Sequence, residues 1–323
     1  MLNAMMNAPV GDDVFSEDPT IIELQEKTAK LFGKQAGLYC PSGTMTNQIA
    51  IKLHTQPLDE VICDKLSHIY KYENGAWAMH SGVSMKLIAG NRGRVTAQQV
   101  EDNIQPEHDW LPRTKLVSLE NTCNSGGGSC YDLTTLKAIK QVTEKHNLKY
   151  HLDGARVFNA LNVSNFGTQE IGVLFDTISV CLSKGLGAPV GSVLLGTEKD
   201  IKYARRIRKA FGGGMRQAGI LAAAGIYALN NNVDRLTEDH RKAKLLEQTL
   251  KECSFVSSIF DVETNIVIFE VDKKYATAED FVEKIAKFGV LSAPFSKQDV
   301  RFVTHLDIDD VKLEHTLSTL KNL

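Results

Sequence analysis

Short apolar runs alternate with amphipathic helical patterns over the first half of the chain. The runs have the length of strands, and the segments between them repeat apolar residues at helical spacing. This alternation is typical of a mainly parallel sheet wrapped by helices, so we predict an α/β fold. The predicted strands cover 36–40, 60–63, 84–88 and 115–120, and the predicted helices cover 44–54, 68–79, 96–104 and 132–146.

The clearest helical pattern precedes this series. Residues 20–33 place apolar side chains such as Ile21 and Leu24 on one face. Thr20 is a suitable N-cap, and Gly33 is a suitable end. We therefore predict that a helix begins the fold.

The pattern changes in the last third of the chain. Residues 219–250 predict one or two long helices, after which helical patterns alternate with short strands at 266–271 and 300–304. A chain of 323 residues exceeds one ordinary hydrophobic core. We predict a large cofactor-binding domain over 1–235 and a small C-terminal α+β domain over 236–323.

Composition narrows the class of protein. Hydrophobic residues make up 43% and charged residues 24%, as in ordinary globular proteins, and the net charge of −2 favours neither nucleic acid nor an anionic membrane as a partner. The six cysteines form no Cys-x-x-Cys pair, and we see neither a secretory leader nor an apolar stretch long enough to span a membrane. We therefore predict a cytoplasmic protein.

An amine and a carboxylate follow two of the apolar runs. Lys184 follows the run 177–183, and Asp153 ends the run 148–153. If these runs are neighbouring parallel strands, both side chains lie in the crevice where open α/β sheets bind ligands. Pyridoxal phosphate needs a lysine for its aldehyde and an acid for its ring nitrogen. Each residue alone also suits a plainer role, as a solvated edge charge or as part of an Asp-Gly turn.

Two further features suit the same cofactor. Ser42, Gly43 and Thr44 precede a helical pattern, where free amides, a glycine and hydroxyls make an anion site. His68 could cover a flat pyridine ring or move a proton. The alternatives are an ordinary capped turn and a structural histidine.

Arginines could bind the carboxylate of an amino-acid substrate. Arg156 follows Asp153 closely, and Arg301 lies in the predicted small domain; each could instead form a surface ion pair. The glycine-rich segment around Arg216 predicts a loop at a site or subunit contact. We find no histidines at metal-site spacing and no nucleophile elbow, and we predict no metal.

Taken together, these motifs resemble the low-specificity L-threonine aldolases nearly end to end. The resemblance implies an aspartate-aminotransferase-like fold of three α/β/α layers, pyridoxal phosphate as cofactor, and a homotetramer built as a dimer of dimers. It implies cleavage of L-threonine or L-allo-threonine to glycine and acetaldehyde. The motifs are 10–19 (VGDDVFSEDP), 41–45 (PSGTM), 67–69 (SHI), 151–156 (HLDGAR), 181–191 (CLSKGLGAPVG), 212–219 (GGGMRQAG) and 301–307 (RFVTHLD).

The resemblance also implies a role for each candidate residue. Lys184 would hold the cofactor aldehyde, and Asp153 would bind the ring nitrogen under the face of His68. The phosphate would lie on the turn from Ser42 to Thr44, near a neighbouring subunit's copy of the loop that contains Arg216. Arg156 would lie beside the cofactor and bind the substrate carboxylate together with Arg301.

The sequence departs from the family in two places. Cys123 stands in the segment 120–124 (ENTCN), where the family usually has a histidine that contacts the substrate hydroxyl, so Cys123 is the candidate contact of that hydroxyl here. Cysteine lacks the basicity and the hydrogen bonds of imidazole, which leaves the preference between the threonine diastereomers open. The family also has an earlier strand with an Arg-Ser-Asp-Thr motif, and we expect that strand to be missing ahead of Met1.

We therefore predict a pyridoxal-phosphate-dependent aldolase, with His68, Lys184 and Asp153 as its catalytic residues. One rival is a β-eliminating lyase that uses the same cofactor and acts on serine, cysteine or aromatic amino acids. Another is a cofactor-binding regulatory protein without catalysis. Glycine with an aldehyde, pyruvate with ammonia, and no product at all distinguish the three.

Overall fold

A computed structural model describes all 323 residues of the chain, which divides into two compact units. The first contains residues 1–126 and 130–233, and the second contains 127–129 and 234–323. The predicted domain boundary after residue 235 stays a prediction, because compactness alone does not establish a domain that folds independently. None of the helices combines the length and the apolar character that crossing a membrane requires.

The first unit contains a seven-stranded sheet and most of the helices. Its strands are β1 Ala36–Cys40, β2 Asp59–Asp64, β3 Ser84–Ile88, β4 Arg113–Glu120, β5 Lys149–Gly154, β6 Thr177–Cys181 and β7 Ser192–Gly196. Its helices are α1 Leu2–Met6, α2 Pro19–Leu31, α3 Gly43–His54, α4 His68–Lys71, α5 Ala76–Ser81, α6 Ala97–Glu101, α7 Leu133–Lys145, α8 Val157–Asn162, α9 Thr168–Leu174, α10 Glu198–Ala210 and α11 Gly219–Asn231.

The sheet is mainly parallel, as predicted. Its order is β1-β7-β6-β5-β4-β2-β3, and the neighbours from β3 across to β6 all pair in parallel. Strand β7 runs antiparallel to both β6 and β1. Every residue of β2, β6 and β7 is buried, as is usual for strands of a mainly parallel sheet covered by helices.

The sequence reading differs from the structure in several helices. The helix predicted over 68–79 is two short helices, because the backbone turns left-handed at Asn74 (φ 53°) and Gly75 (φ 68°). Asp18, rather than Thr20, is the N-cap of the first long helix, and Pro19 is its first residue. In the first unit, five elements, α1, α8, α9, α10 and β7, have no counterpart in the prediction.

The second unit is a smaller α+β unit. Its elements are α12 Leu236–Glu252, β8 Val256–Ile259, β9 Ile266–Val271, α13 Ala278–Ala286, β10 Ala293–Pro294, β11 Asp299–Val303 and α14 Asp310–Lys321. The four strands pair in the antiparallel order β10-β11-β9-β8. Three phenylalanines, Phe269, Phe281 and Phe302, contact one another in its buried core.

A buried carboxylate ties three segments of the first unit together. Asp18 is fully buried, and its Oδ1 accepts the N–H groups of Thr20 (3.1 Å) and Ile21 (3.0 Å) at the start of α2. Its Oδ2 accepts the N–H groups of Gly219 (2.9 Å) and Gly11 (3.2 Å). Asp18 therefore fixes where α2 and α11 begin relative to the amino-terminal segment.

We expect Asp18→Ala to lower the free energy of unfolding by roughly 3 kcal/mol, because it leaves several buried N–H groups without an acceptor. Chemical denaturation measures this loss. Asp132→Ala is the control: Asp132 is the exposed N-cap of α7 and accepts one N–H, from Thr135, so its loss should cost about 1 kcal/mol. Equal losses in the two variants would contradict a special role for Asp18.

Candidate active site

Two carboxylates lie side by side at the carboxyl ends of adjacent parallel strands. Glu120 ends β4, and its partner in register on β5 is Asp153. Asp153 in turn pairs in register with Ser179 of β6. Both carboxylate residues are nearly inaccessible, at 2% and 3% exposure. The two runs that were predicted to be neighbouring parallel strands are therefore β5 and β6, and Glu120 is a residue of this edge that the sequence reading did not single out.

Lys184 lies in the loop that follows β6 at this same edge of the sheet. The strand ends at Cys181, before the lysine, and residues 182–191 connect it to the antiparallel β7. The carbonyl of Lys184 accepts the N–H of Gly187 (2.9 Å). Gly191 has a φ of 107°, and a Cβ there would lie 2.4 Å from the Tyr39 ring. The glycine-rich string is thus a hairpin loop that holds a half-buried lysine.

Asp153 is held by two donors. Its Oδ1 accepts the N–H of Ala155 (3.1 Å), and its Oδ2 accepts the side-chain amide of Asn47 (2.8 Å). The same amide nitrogen donates to Oε1 of Glu73 at 3.0 Å. Asn47 therefore joins two buried carboxylates through one NH₂ group.

His68 belongs to the same cluster. Its Nδ1 lies 2.9 Å from Oε1 of Glu73. One ring nitrogen of His68 and one carboxylate oxygen each of Glu73 and Asp153 all lie within 4.8 Å of one another. Three such atoms could hold a metal ion. Because both carboxylates already accept the Asn47 amide, the arrangement favours a hydrogen-bonded site.

Glu73 and Asn47 were missed from the sequence. Glu73 follows His68 by five residues, across the break between α4 and α5, and Asn47 lies in the second turn of α3. Neither spacing is a motif by itself. The only signal was a polar residue in each of two otherwise apolar patterns.

The surroundings of His68 favour its protonated form. The hydrogen bond to Glu73 raises the pKa of His68, and the charges of Asp153 and Glu120 act in the same direction against the opposing effect of burial. The backbone N–H of His68 also donates to Oε2 of Glu120 at 2.8 Å. With Nδ1 engaged by Glu73, Nε2 is the ring atom left to exchange a proton.

Glu120 titrates unusually high for a carboxyl group. Burial raises the pKa of Glu120 to about 7, and the nearby charge of Asp153 adds to the shift. Its oxygens accept the N–H groups of Asn124 (2.9 Å) and His68. Arg156 reaches the same segment, where its Nη1 donates to Oδ1 of Asn124 at 3.2 Å.

The anion site predicted at Ser42, Gly43 and Thr44, which we call the anion cradle, lies at the start of a helix. Gly43 and Thr44 are the first residues of α3, so their N–H groups precede the helical hydrogen-bond ladder, and Ser42 caps the N–H of Met45 at 3.2 Å. A Cβ on Gly43 would lie 3.4 Å from Oγ of Ser192, a buried hydroxyl without a hydrogen-bond partner.

The helix that starts at this cradle also reaches the carboxylate edge of the sheet. Thr46, one turn into α3, lies with its Oγ1 2.6 Å from the Oγ of Ser179 on β6. Asn47 follows it and contacts Asp153. Free amides at the start of α3, the unpaired hydroxyl of Ser192 beside Gly43, and the buried acid Asp153 that Asn47 contacts fit a phosphorylated ring such as pyridoxal phosphate.

Cys123 is buried away from solvent at 1% exposure. Its thiol packs against Gly93, where a Cβ would lie 2.1 Å from the sulfur, and burial raises the pKa of the Cys123 thiol above its usual range. The predicted contact between Cys123 and the substrate hydroxyl stays a prediction.

Two other predicted arginines have contacts of their own. Arg301 is on β11 of the second unit, paired in register with Ala293 and Ile268, and its guanidinium lies 5.1 Å from the centre of the Phe295 ring. Arg216 is exposed and pairs with Asp12 at 2.6 Å. Their roles at a substrate or subunit contact stay predictions.

Comparison with known proteins shows which family and which fold the chain resembles. Residues 1–274 match the profile of the family described as beta-eliminating lyase. The low specificity L-threonine aldolase of Escherichia coli K12 is 41% identical over 314 residues, covering 97% of this chain and 92% of that protein. The low-specificity L-threonine aldolase 1 of Arabidopsis thaliana is 38% identical over 98% of this chain and 90% of its own length.

Among solved structures, the threonine aldolase of Leishmania major superposes with a TM-score of 0.84 at 21% identity, covering 98% of this chain and 92% of that one. This likeness concerns the fold. The predicted α/β class with a mainly parallel sheet is confirmed.

The raised pKa of Glu120 generates a prediction about stability. The folded protein binds this proton more tightly than the unfolded chain, so its stabilising effect is full below the ordinary pKa of 4.5 and is lost as pH rises toward about 7. The Glu120→Gln variant has no carboxyl group at this position, so its free energy of unfolding does not fall for this reason as pH rises. We therefore expect its unfolding free energy relative to wild type to rise between pH 5 and pH 8, by on the order of 1 kcal/mol or more.

Chemical denaturation at the two pH values measures this difference. Glu144→Gln, on the exposed face of α7, is the control and should show no such rise. A relative stability of Glu120→Gln that falls or stays constant with pH would contradict the raised pKa.

Proposed function

Because this chain belongs to the beta-eliminating lyase family and, within it, to the low-specificity L-threonine aldolases, we propose that it cleaves L-threonine and L-allo-threonine to glycine and acetaldehyde. Other β-hydroxy-α-amino acids would give glycine and the matching aldehyde. The protein is a carbon–carbon lyase. The cluster of Asp153, Glu73 and His68, at the sheet edge that also bears Lys184, is the observation that carries the proposal.

The enzyme depends on pyridoxal phosphate. When bound, this cofactor supplies an aldehyde for an amine and a ring that takes up the electron pair released from the substrate. Lys184 would hold the aldehyde, and Asp153 the ring nitrogen. The phosphate would rest on Ser42, Gly43 and Thr44, whose amides and hydroxyls form the start of α3.

Asp153 is built to accept a hydrogen bond from a protonated ring nitrogen. Donors from Ala155 and Asn47 fix the orientation of its carboxylate and leave it further acceptor capacity. Because the group is buried, a cation placed beside it would be attracted more strongly than in water.

His68 is the candidate general base in this proposal. Glu73 holds Nδ1, which orients the ring and increases its affinity for a proton at Nε2. Nε2 would take the proton of the substrate β-hydroxyl, directly or through one water, as the Cα–Cβ bond breaks. The imidazole would also cover one face of the cofactor ring.

The substrate carboxylate would bind to Arg156 and Arg301. Arg156 reaches Asn124, beside Glu120, and so lies at the carboxylate edge of the sheet. A guanidinium can bind a carboxylate through two parallel hydrogen bonds, which fixes the direction in which the β-carbon leaves.

We also propose a homotetramer, assembled as a dimer of dimers, in which the Arg216 loop approaches a neighbouring subunit's phosphate site. Exposed apolar side chains on α1 and α5 support association: Leu2 is 75% exposed, and Met6 and Met79 are each 83% exposed. All six cysteines are free thiols, which is consistent with a reducing cytoplasm. There the reaction would break down threonine and supply glycine.

The alternative is elimination from serine, cysteine or an aromatic amino acid by the same residues. The matching family is described as beta-eliminating lyase, which supports this alternative. Elimination expels a group from the β-carbon, whereas aldol cleavage breaks the Cα–Cβ bond after loss of the hydroxyl proton. A base held by Glu73, with a raised pKa, suits the second reaction better.

Product analysis tests the function. Purified protein with pyridoxal phosphate should release equal amounts of glycine and acetaldehyde from L-threonine and L-allo-threonine, and glycine with benzaldehyde from phenylserine. Serine should yield little pyruvate. Pyruvate and ammonia as the main products would instead establish the eliminating lyase.

Lys184→Ala supplies the matched control for this assay. It should lower turnover roughly 10³-fold or more and abolish the visible absorbance of lysine-bound cofactor, because no other amine is placed by this loop. Lys137→Ala, on the exposed face of α7, should behave as wild type.

Cys123 generates a separate prediction about the preference between diastereomers. Its thiol is neutral, buried and a weak donor, so we expect Cys123→Ala to change the ratio of kcat/KM for L-threonine and L-allo-threonine by about threefold at most. Competition assays with the two substrates measure that ratio. A larger change would show that the thiol contacts the substrate hydroxyl.

A further inference from the structure

A continuous line of hydrogen-bonded side chains leads from His54, at the end of α3, to the two carboxylates of the site. Nε2 of His54 lies 3.0 Å from Oγ1 of Thr177, and the same oxygen lies 2.9 Å from Nδ1 of His151. Nε2 of His151 lies 3.2 Å from Oδ1 of Asn47. We call these four residues, His54, Thr177, His151 and Asn47, the Asn47 relay.

The direction of every hydrogen bond in the relay follows from the two carboxylates at its Asn47 end. Asn47 faces oxygens of Glu73 and Asp153 with its nitrogen, since both carboxylates can only accept. Its Oδ1 must then accept from His151, whose proton is therefore on Nε2. That leaves Nδ1 of His151 as an acceptor for the Thr177 hydroxyl, which in turn accepts from His54.

Both histidines of the relay are neutral near physiological pH. Burial lowers the pKa of His151 to about 3 and that of His54 to about 4. A neutral imidazole has one donor and one acceptor, so each ring passes on the direction that it receives. Asp176, Asp200 and Lys149 are the charged groups that act on His54 from outside the relay.

The relay therefore aims each of its donors toward Asp153 and Glu73. On the basis of the function proposed above, we propose that Asn47, His151 and Thr177 are positioning residues for catalysis: through one amide they set the ring-nitrogen partner Asp153 and the His68 partner Glu73 together. No member of the relay other than Asn47 contacts either carboxylate.

Asn47 is central because a single NH₂ group separates two acidic groups. Without it, oxygens of Glu73 and Asp153 within 4.8 Å of each other would repel in a buried site. Gln48 donates to the other oxygen of Glu73 at 2.6 Å and cannot replace Asn47 at Asp153. Loss of this one amide would therefore displace both Asp153 and Glu73, the residue that orients His68.

Thr177 offers a test that distinguishes positioning from packing. Thr177→Val keeps the shape of the fully buried side chain and removes the hydroxyl, whereas Thr177→Ser keeps the hydroxyl and removes a methyl group. If the relay acts, the valine variant should lose about fivefold to tenfold in kcat with little change in KM, and the serine variant should turn over as wild type. Impaired Thr177→Ser beside normal Thr177→Val would overturn the proposal.

Asn47→Asp is the more severe variant. It keeps the shape of the side chain but replaces the donor by a third carboxylate oxygen, so we expect at least tenfold weaker binding of pyridoxal phosphate to the apoprotein and a larger loss of kcat than in Thr177→Val. Unchanged cofactor affinity and kcat would overturn the role of the amide. The Thr177 pair decides the question even if this variant does not fold.

Histidine tautomers in the apoprotein give a readout that needs neither cofactor nor turnover. In protein labelled with ¹⁵N-histidine, long-range proton–nitrogen spectra should show His54 and His151 neutral and protonated on Nε2, with His151→Gln identifying the His151 signals. Protonation of His151 on Nδ1 would reverse the relay and overturn the proposal. If wild-type protein releases no glycine from any β-hydroxy-α-amino acid, the proposed function fails, while the tautomers still support or overturn the relay itself.

Discussion

The site depends on one arrangement: two buried carboxylates, Asp153 and Glu73, that share a single amide nitrogen from Asn47. Buried charges are costly unless donors satisfy them, and here the donor is placed by the same helix that begins at the anion cradle. Asp153, which would bind a ring nitrogen, and His68, which Glu73 orients, are consequently held at a fixed distance from each other. A shift of α3 would move the phosphate site, the acid and the base partner together.

The topology of the sheet supplies the frame for this arrangement. Parallel pairing of β4, β5 and β6 puts Glu120, Asp153 and Ser179 at one edge. The reversal of β7 then creates the hairpin loop that contains Lys184. The lysine is therefore held by a turn with glycines at positive φ rather than by a strand.

Neutral and charged polar groups are separated within the buried site. Burial keeps His151 and His54 neutral and raises the pKa of Glu120 to about 7, whereas His68 gains affinity for a proton from Glu73. The three histidines share one side-chain chemistry, so their partners and burial are what give them different affinities for a proton. In the proposed function, His68 would be the ring that exchanges a proton with the substrate β-hydroxyl.

The sequence by itself determined the α/β fold class and most strands of the large sheet, because buried parallel strands and capped helices leave periodic apolar patterns and turn residues. Its motifs also pointed to pyridoxal phosphate as the cofactor. It also singled out Lys184, Asp153 and His68. Only the tertiary structure showed the roles of Asn47, Glu73 and the relay, because their contacts join positions that lie far apart in the chain, such as Asn47 and Asp153. The short elements α8 and α9 and the reversed strand β7 escaped the sequence reading, because packing against neighbours, rather than local pattern, sets such elements.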